Sequence, residues 1–421
     1  MQKIKYYIIA MKLKFTKTSV SLIKSILETE CLNKSCSITQ KTNNILKSLY
    51  NEVNHANHYI RKKRVIEGIE FYNLIIREII SKSEIPKPKL FNENSFPSGI
   101  IKRIDDYINY DLFYSFSLFN REINIHLLLE DEILKDINVY NSYIYRILVL
   151  ICFLNKYSGK KCSKKLGIYI YLTDLKKELP NRSFEIIDSV NANTGFTYTC
   201  SPENEIVIYR KEEWFKVLAH EMMHSFGIDF SNMNVDSCNE KIKRIFKVNS
   251  NVNMYEAYTE FWGQMINCIF CSYYLEDGMI EYDNFLNNFE LFINIERVHG
   301  FLQIVKILKF MNLRYEELYL NDYELDEKRK VCYREKTNIL SYYIIKQVFM
   351  NNYQGFLNWC SVHNLSLINF NKTYKNLDEF YKFIEKNYKS ASMLEGINCF
   401  EEKMIKKNML KNLRMTICEI E

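Results

Sequence analysis

The stretch WFKVLAHEMMHSFGID, Trp214–Asp229, limits what this chain can fold into more than any other. His220, Glu221 and His224 form H-E-x-x-H, and two histidines four residues apart share one side of the backbone only if that backbone is helical. From one helical face they project at a separation suited to two zinc–nitrogen bonds, with Glu221 beside them. Phe215, Leu218, Met222 and Phe226 recur at steps of three and four, which adds an apolar stripe and predicts a buried helix. Gly227 is then the residue best able to take the left-handed turn that ends the helix and sends the chain back toward the histidines. A lone histidine here would read as a core residue satisfied by a hydrogen bond. Two, with a glutamate in register, read as a metal site.

Around this helix the chain is long enough, at 421 residues, for two or three domains, and its 11 glycines and 5 prolines argue for long helices with few loops. Residues 1–160 read as helices. The clearest is Thr42–Ser81, where Ile45, Leu49, Val53, Ile66, Ile69, Tyr72, Ile76 and Ile80 mark apolar faces. His55 and His58 read as solvated and His126 as a satisfied core residue. Pro86 and Pro88 open a loop. Ile144–Leu154 is a buried helix, too short to span a bilayer and carrying Arg146, and Ile4–Met11 is too short for a signal sequence. No membrane association is expected.

The period changes at Gly167. Gly167–Leu172 reads as a strand, Thr173–Pro180 as a turn or short helix, and Ala192–Tyr198 and Glu205–Tyr209 as further strands. A strand just upstream of the histidine helix is expected at a sheet edge, where Glu205, Ile206, Val207, Ile208 and Tyr209 would hold an extended peptide by main-chain hydrogen bonds.

The net charge of +6 is spread over 57 basic and 51 acidic residues. Arg61–Arg64 and Lys160–Lys165 read as solvated basic faces without interleaved aromatics, so no nucleic-acid partner is expected. The twelve cysteines form no dense framework, which predicts free thiols in a reducing, intracellular compartment. Cys268 and Cys271 read as core thiols.

Two histidines leave a catalytic zinc site one protein ligand short. The local candidate is Asp229, one short of the register of H-E-x-x-H-x-x-G-x-x-H, whose last position is Phe230 here. The distant candidate is Tyr255–Trp262, where Glu256 and Glu260 are spaced i, i+4 among apolar neighbours. Carboxylates on a buried helix need a metal or a donor. This favours Glu256 as ligand, with Glu260 accepting the remaining ring N–H of His220.

H-E-x-x-H followed by Glu256-x-x-x-Glu260 resembles the gluzincins, the thermolysin- and neprilysin-like zinc peptidases, whose later helix carries E-x-x-x-D. The resemblance covers about 204–269. Over about 165–350 the chain is also similar to uncharacterised zincin-like proteins of giant DNA viruses, through Asn193–Thr197, Ile208–Val217, His220–Ser231, Glu256–Trp262 and Thr337–Ile345. These resemblances imply an α+β fold: a zincin-like catalytic domain at 161–300 with a small mixed sheet, between mainly helical lobes at 1–160 and 301–421. They imply a zinc-dependent metallopeptidase, with Zn2+ on His220, His224 and Glu256 and with Glu221 as general base toward a peptide or protein substrate. Tyr342 and Tyr343, with His299, are the candidates for stabilising the oxyanion. The alternative is a non-catalytic zinc-binding protein of the same fold, structural or virion-associated. If the chain is viral, the compartment would be host cytoplasm or virion. Nothing in the sequence sets the oligomeric state.

Overall fold

The alternation that begins at Gly167 belongs to a sheet of six strands, several of them outside the region where strands were expected. In the computed structural model, residues 14–29, 31, 37–67, 72–130, 137–276, 280–403 and 411–421 are described. The strands are β1 (Asn73–Glu78), β2 (Tyr110–Leu118), β3 (Arg121–Leu129), β4 (Lys165–Leu172), β5 (Gly195–Thr197) and β6 (Glu203–Ile208). Their order is β1-β2-β3-β4-β6-β5. β1, β2 and β3 pair antiparallel, β3–β4 and β4–β6 pair parallel, and β5 returns antiparallel to β6. The fold is α+β with a mixed sheet and many helices, as expected.

The expectation of helices throughout 1–160 is corrected by β1, β2 and β3. In β2 the side chains of Leu112, Tyr114, Phe116 and Leu118 are buried at period two, and in β3 Ile123, Ile125 and Leu127 do the same. Phe119 and Asn120 between them have φ of 53° and 56°, the left-handed pair that a two-residue hairpin needs. The helix expected over Thr42–Ser81 runs Gln40–Glu67, and Ile76 lies instead in the exposed strand β1. Ile69 and Ile4–Met11 lie outside the described residues. No helix forms over Thr173–Pro180. The Ile144–Leu154 run is buried within the helix Asn138–Asn155, which carries the chain from β3 to the parallel β4.

Two compact units result. One comprises Ser48–Lys176 and Asn193–Asn232, the other Met1–Lys47, Lys177–Ala192 and Met233–Glu421. The first holds the sheet. Leu128, Tyr169, Tyr171, Val207 and Tyr209 pack with Ile85, Phe96, Ile100, Ile104 and Ile108 in one apolar cluster. The alternate residues Ile168, Ile170, Ile206 and Ile208 are fully buried on the opposite side. The helix Trp214–Ser225 packs on β5 and β6.

The second unit is helical, built on Met254–Tyr274 packed against Tyr282–Phe310. Gly396 lies so close to the Phe301 ring that a β-carbon there would overlap it. Cys268 and Cys271 are buried thiols, as expected. The expectation of free thiols is corrected at four positions, because Cys31 is bonded to Cys399 and Cys162 to Cys200. Both pairs join residues distant in sequence, so spacing gave no sign of them. The argument for a reducing compartment loses its support with them. No helix among the described residues is long and apolar enough to cross a membrane.

Candidate metal centre

His220 and His224 lie on the helix Trp214–Ser225, and both are buried. Trp214 anchors its first turn, stacking on Tyr143 at 4.8 Å between ring centroids, with the Arg146 guanidinium over both rings. The last turn is held from three directions. Gly227, at φ 65°, lets its own N–H reach the His224 carbonyl at 3.0 Å while Ile228 N–H reaches Met223 at 2.9 Å, a Schellman closure. Cys200 N–H donates to the same His224 carbonyl, Gly159 N–H donates to Phe226, and the Ser163 hydroxyl donates to the Ser225 carbonyl at 2.8 Å. The Cys162–Cys200 disulfide ties together the two loops that supply these donors, and it lies directly against Gly227.

Within this frame His220 Nε2 and His224 Nε2 are 3.1 Å apart. Two nitrogens bound to one tetrahedral zinc at ~2.0–2.1 Å would be separated by about 3.3 Å, close to the spacing of this pair. The reverse turn at Gly227 brings Asp229 back to His224, whose Nδ1 sits 2.7 Å from Asp229 Oδ2. Asp229 is fully buried and is fixed in turn by the N–H and hydroxyl of Ser231. A buried carboxylate on Nδ1 keeps the proton there and leaves the Nε2 lone pair for a cation. The local candidate, Asp229, is thus placed against the ring of His224, where its carboxylate can orient that imidazole. Sequence reasoning weighed it only as a ligand, and its signal was the position just past a helix-ending glycine.

Glu221 is buried between the two histidines in sequence, and β5 passes against it. A β-carbon on Gly195 would stand 2.7 Å from the Val207 carbonyl, 3.0 Å from Val217 Cγ1 and 3.3 Å from Glu221 Cγ, so only glycine lets the strand run this close. Gly195 is a second residue whose role sequence reasoning missed.

The strand assigned to peptide binding is corrected. β6 is interior, paired with β4 through Glu203–Ile208 and with β5 at Ile206, Val207 and Ile208, so its main chain is occupied on both sides. The Glu205 carboxylate takes the N–H groups of Lys89 and Leu90 at 3.0 and 2.7 Å, a structural tie to the proline loop. Tyr209 N–H donates to the Thr194 carbonyl, and its own carbonyl accepts from Thr173. The edge is β5.

In the helical unit Glu256 lies in the first turn of Met254–Tyr274, and Glu260, one turn on, is buried. Tyr342 and Tyr343 sit in a π-helical turn, Leu340–Ile345. The Tyr343 hydroxyl donates to the Leu413 carbonyl at 2.6 Å, and His299 Nε2 lies 3.0 Å from the Arg414 carbonyl. Both side chains lie against the C-terminal segment, and the Tyr343 hydroxyl proton is taken up there. Three further histidines answer their expectations: His55 and His58 are exposed, and His126, stacked on Tyr169, places Nδ1 3.0 Å from Asp111.

No protein-family model matches this sequence, and no solved structure matches it. Over 222 residues it is 26% identical to an uncharacterised protein of Acanthamoeba polyphaga mimivirus. The match covers 52% of this chain and 53% of that protein, so the chain spans about half the length of its relative.

Proposed function

We propose that the protein is a zinc-dependent metallopeptidase whose ion is held by His220, His224 and Glu256, two imidazoles and a carboxylate of the kind found in hydrolytic zinc sites. The observation that carries the reading is the 3.1 Å approach of the two Nε2 atoms with Asp229 on the far nitrogen of His224. A simple hydrogen bond between the rings would need the His220 proton on Nε2. A shared cation needs lone pairs on both. Glu260 is proposed to accept from His220 as Asp229 does from His224.

When bound, zinc supplies Lewis acidity toward a carbonyl and toward water. Glu221, next in sequence to a ligand, takes the proton from the attacking water and returns it to the leaving amine. Its burial at 7% exposure favours this work, since a base screened from bulk water exchanges protons mainly with what enters the site. The edge strand β5, against which Glu221 packs, takes over the role first given to β6 of aligning an extended peptide. With Tyr343 committed elsewhere, the proposed oxyanion donor narrows to Tyr342.

Incubating a random peptide library with wild type and with Glu221→Gln tests the reading. Cleavage by wild type alone, with equal zinc in both, is expected. Zinc without cleavage in wild type would overturn the peptidase and leave a zinc-binding protein, while equal cleavage by both would remove Glu221 from the mechanism.

A further inference from the structure

The helical unit buries a second arrangement that the proposed chemistry does not use. Residues Leu413–Glu419 are all buried, although Arg414, Thr416 and Glu419 are polar, and they form neither helix nor regular strand. Backbone pairing fixes only the ends, through isolated bridges of Asn412 with Glu178 and of Ile420 with Phe15. Between the bridges the main chain is held by side chains. Tyr343 donates to the Leu413 carbonyl at 2.6 Å, Gln303 to Arg414 at 2.8 Å, Gln264 to Met415 at 3.0 Å and Asn267 to Cys418 at 2.7 Å. Glu296 accepts the N–H groups of Ile417 and Cys418 at 3.0 and 2.8 Å.

Three features distinguish this from an ordinary core. The groove reads main chain, through donors aimed at successive carbonyls and a carboxylate aimed at consecutive amides, as sites for linear peptides do. Its wall is also self-supporting, because Gln264 donates to Glu296 and Lys346 donates to Gln264, both at 2.8 Å, without help from the segment. Such a wall stays hydrogen-bonded and wettable when vacated, whereas a vacated apolar core would collapse. Finally, the segment's charged pair is internal, Arg414 to Glu419 at 2.7 Å, and would leave with it.

We propose that this groove is a main-chain-reading peptide site, that Asn412–Glu421 is its displaceable resident, and that a linear peptide supplied in trans takes its place. Native-state hydrogen exchange on the full chain tests displacement. The Ile417 and Cys418 amides should exchange at least about ten-fold faster than interior amides of Met254–Tyr274, through an opening smaller than global unfolding. Equal rates, reached only by global unfolding, would overturn the proposal. Ile417→Pro in the full chain removes one amide that Glu296 accepts and weakens the resident. This variant should bind a labelled synthetic Asn412–Glu421 peptide saturably, and at least about ten-fold more weakly when that peptide is N-methylated at Ile417 and Cys418. An unfolded variant, no binding, or indifference to N-methylation would each count against it.

Discussion

The two units organise their buried polar groups over very different distances along the chain. In the sheet unit the carboxylate that orients His224 is five positions away, and in the helical unit the amide that holds Cys418 is 151 positions away. The first contact, His224 with Asp229, belongs to a helix and its own reverse turn and forms once Gly227 bends. The second exists only after helices near the middle of the sequence have assembled and the end of the chain has been laid across them. Local construction suits atoms that must meet to within tenths of an ångström. Assembly from distant parts suits a contact that can open.

Proline probes that difference most strongly. Val207→Pro or Ile208→Pro removes an N–H from a strand paired on both sides and should destabilise the sheet unit by ~3 kcal/mol or more, enough to lose its cooperative melting. Ile417→Pro should leave the helical unit folded. A stable β6 proline variant would mean that the two arrangements are equally tolerant, and the comparison would fail.

Next in size is the disulfide beneath the histidine helix. Replacing Cys162 and Cys200 by serine releases a crosslink between residues 38 apart and should cost about 2–4 kcal/mol. Urea unfolding should show the loss, with zinc affinity falling because the loops that cap His224 and Ser225 are no longer tied. Unchanged zinc affinity would detach the clamp from the site.

The histidine helix of the sheet unit was legible because its geometry is local. H-E-x-x-H needs a helix, and a glycine after it needs a turn; both are properties of a few adjacent residues. The role of Asp229 was missed because ligand and orienting carboxylate look alike in sequence, and only the Nδ1 contact separates them. The placement of β6 was missed because alternation along a strand says nothing about how many neighbours it has. β1, β2 and β3 were passed over because Ile, Leu and Tyr at steps of two also fit steps of four over short runs. The C-terminal groove left no sequence trace. Gln264, Glu296, Gln303 and Tyr343 are ordinary residues until the end of the chain lies among them.

Asp229→Asn keeps the shape at the turn but removes the charge on His224, and zinc affinity should fall roughly 10–100-fold with the fold intact. Calorimetric titration with zinc checks this. An unchanged affinity would make Asp229 a turn residue only.

The smallest effect belongs to Lys306, whose burial in the helical unit lowers its pKa from 10.5 to about 7. Between those values the unfolded chain holds a proton that the folded chain does not, so stability rises with pH across that window and is flat below it. From pH 7 to pH 8 the gain is at most about 1.4 kcal/mol. Lys306→Met should abolish that slope in urea midpoints, and an unaltered slope would assign it to other groups.

The central claim is that the two imidazoles are a chelate rather than a hydrogen-bonded pair, and metal content tests it most directly. Native mass spectrometry of the purified chain should find about one zinc per molecule, with none retained by His220→Ala or His224→Ala while their melting curves stay cooperative. Zinc retained by both variants, or a wild-type chain that takes up none from zinc-supplemented buffer, would contradict the account.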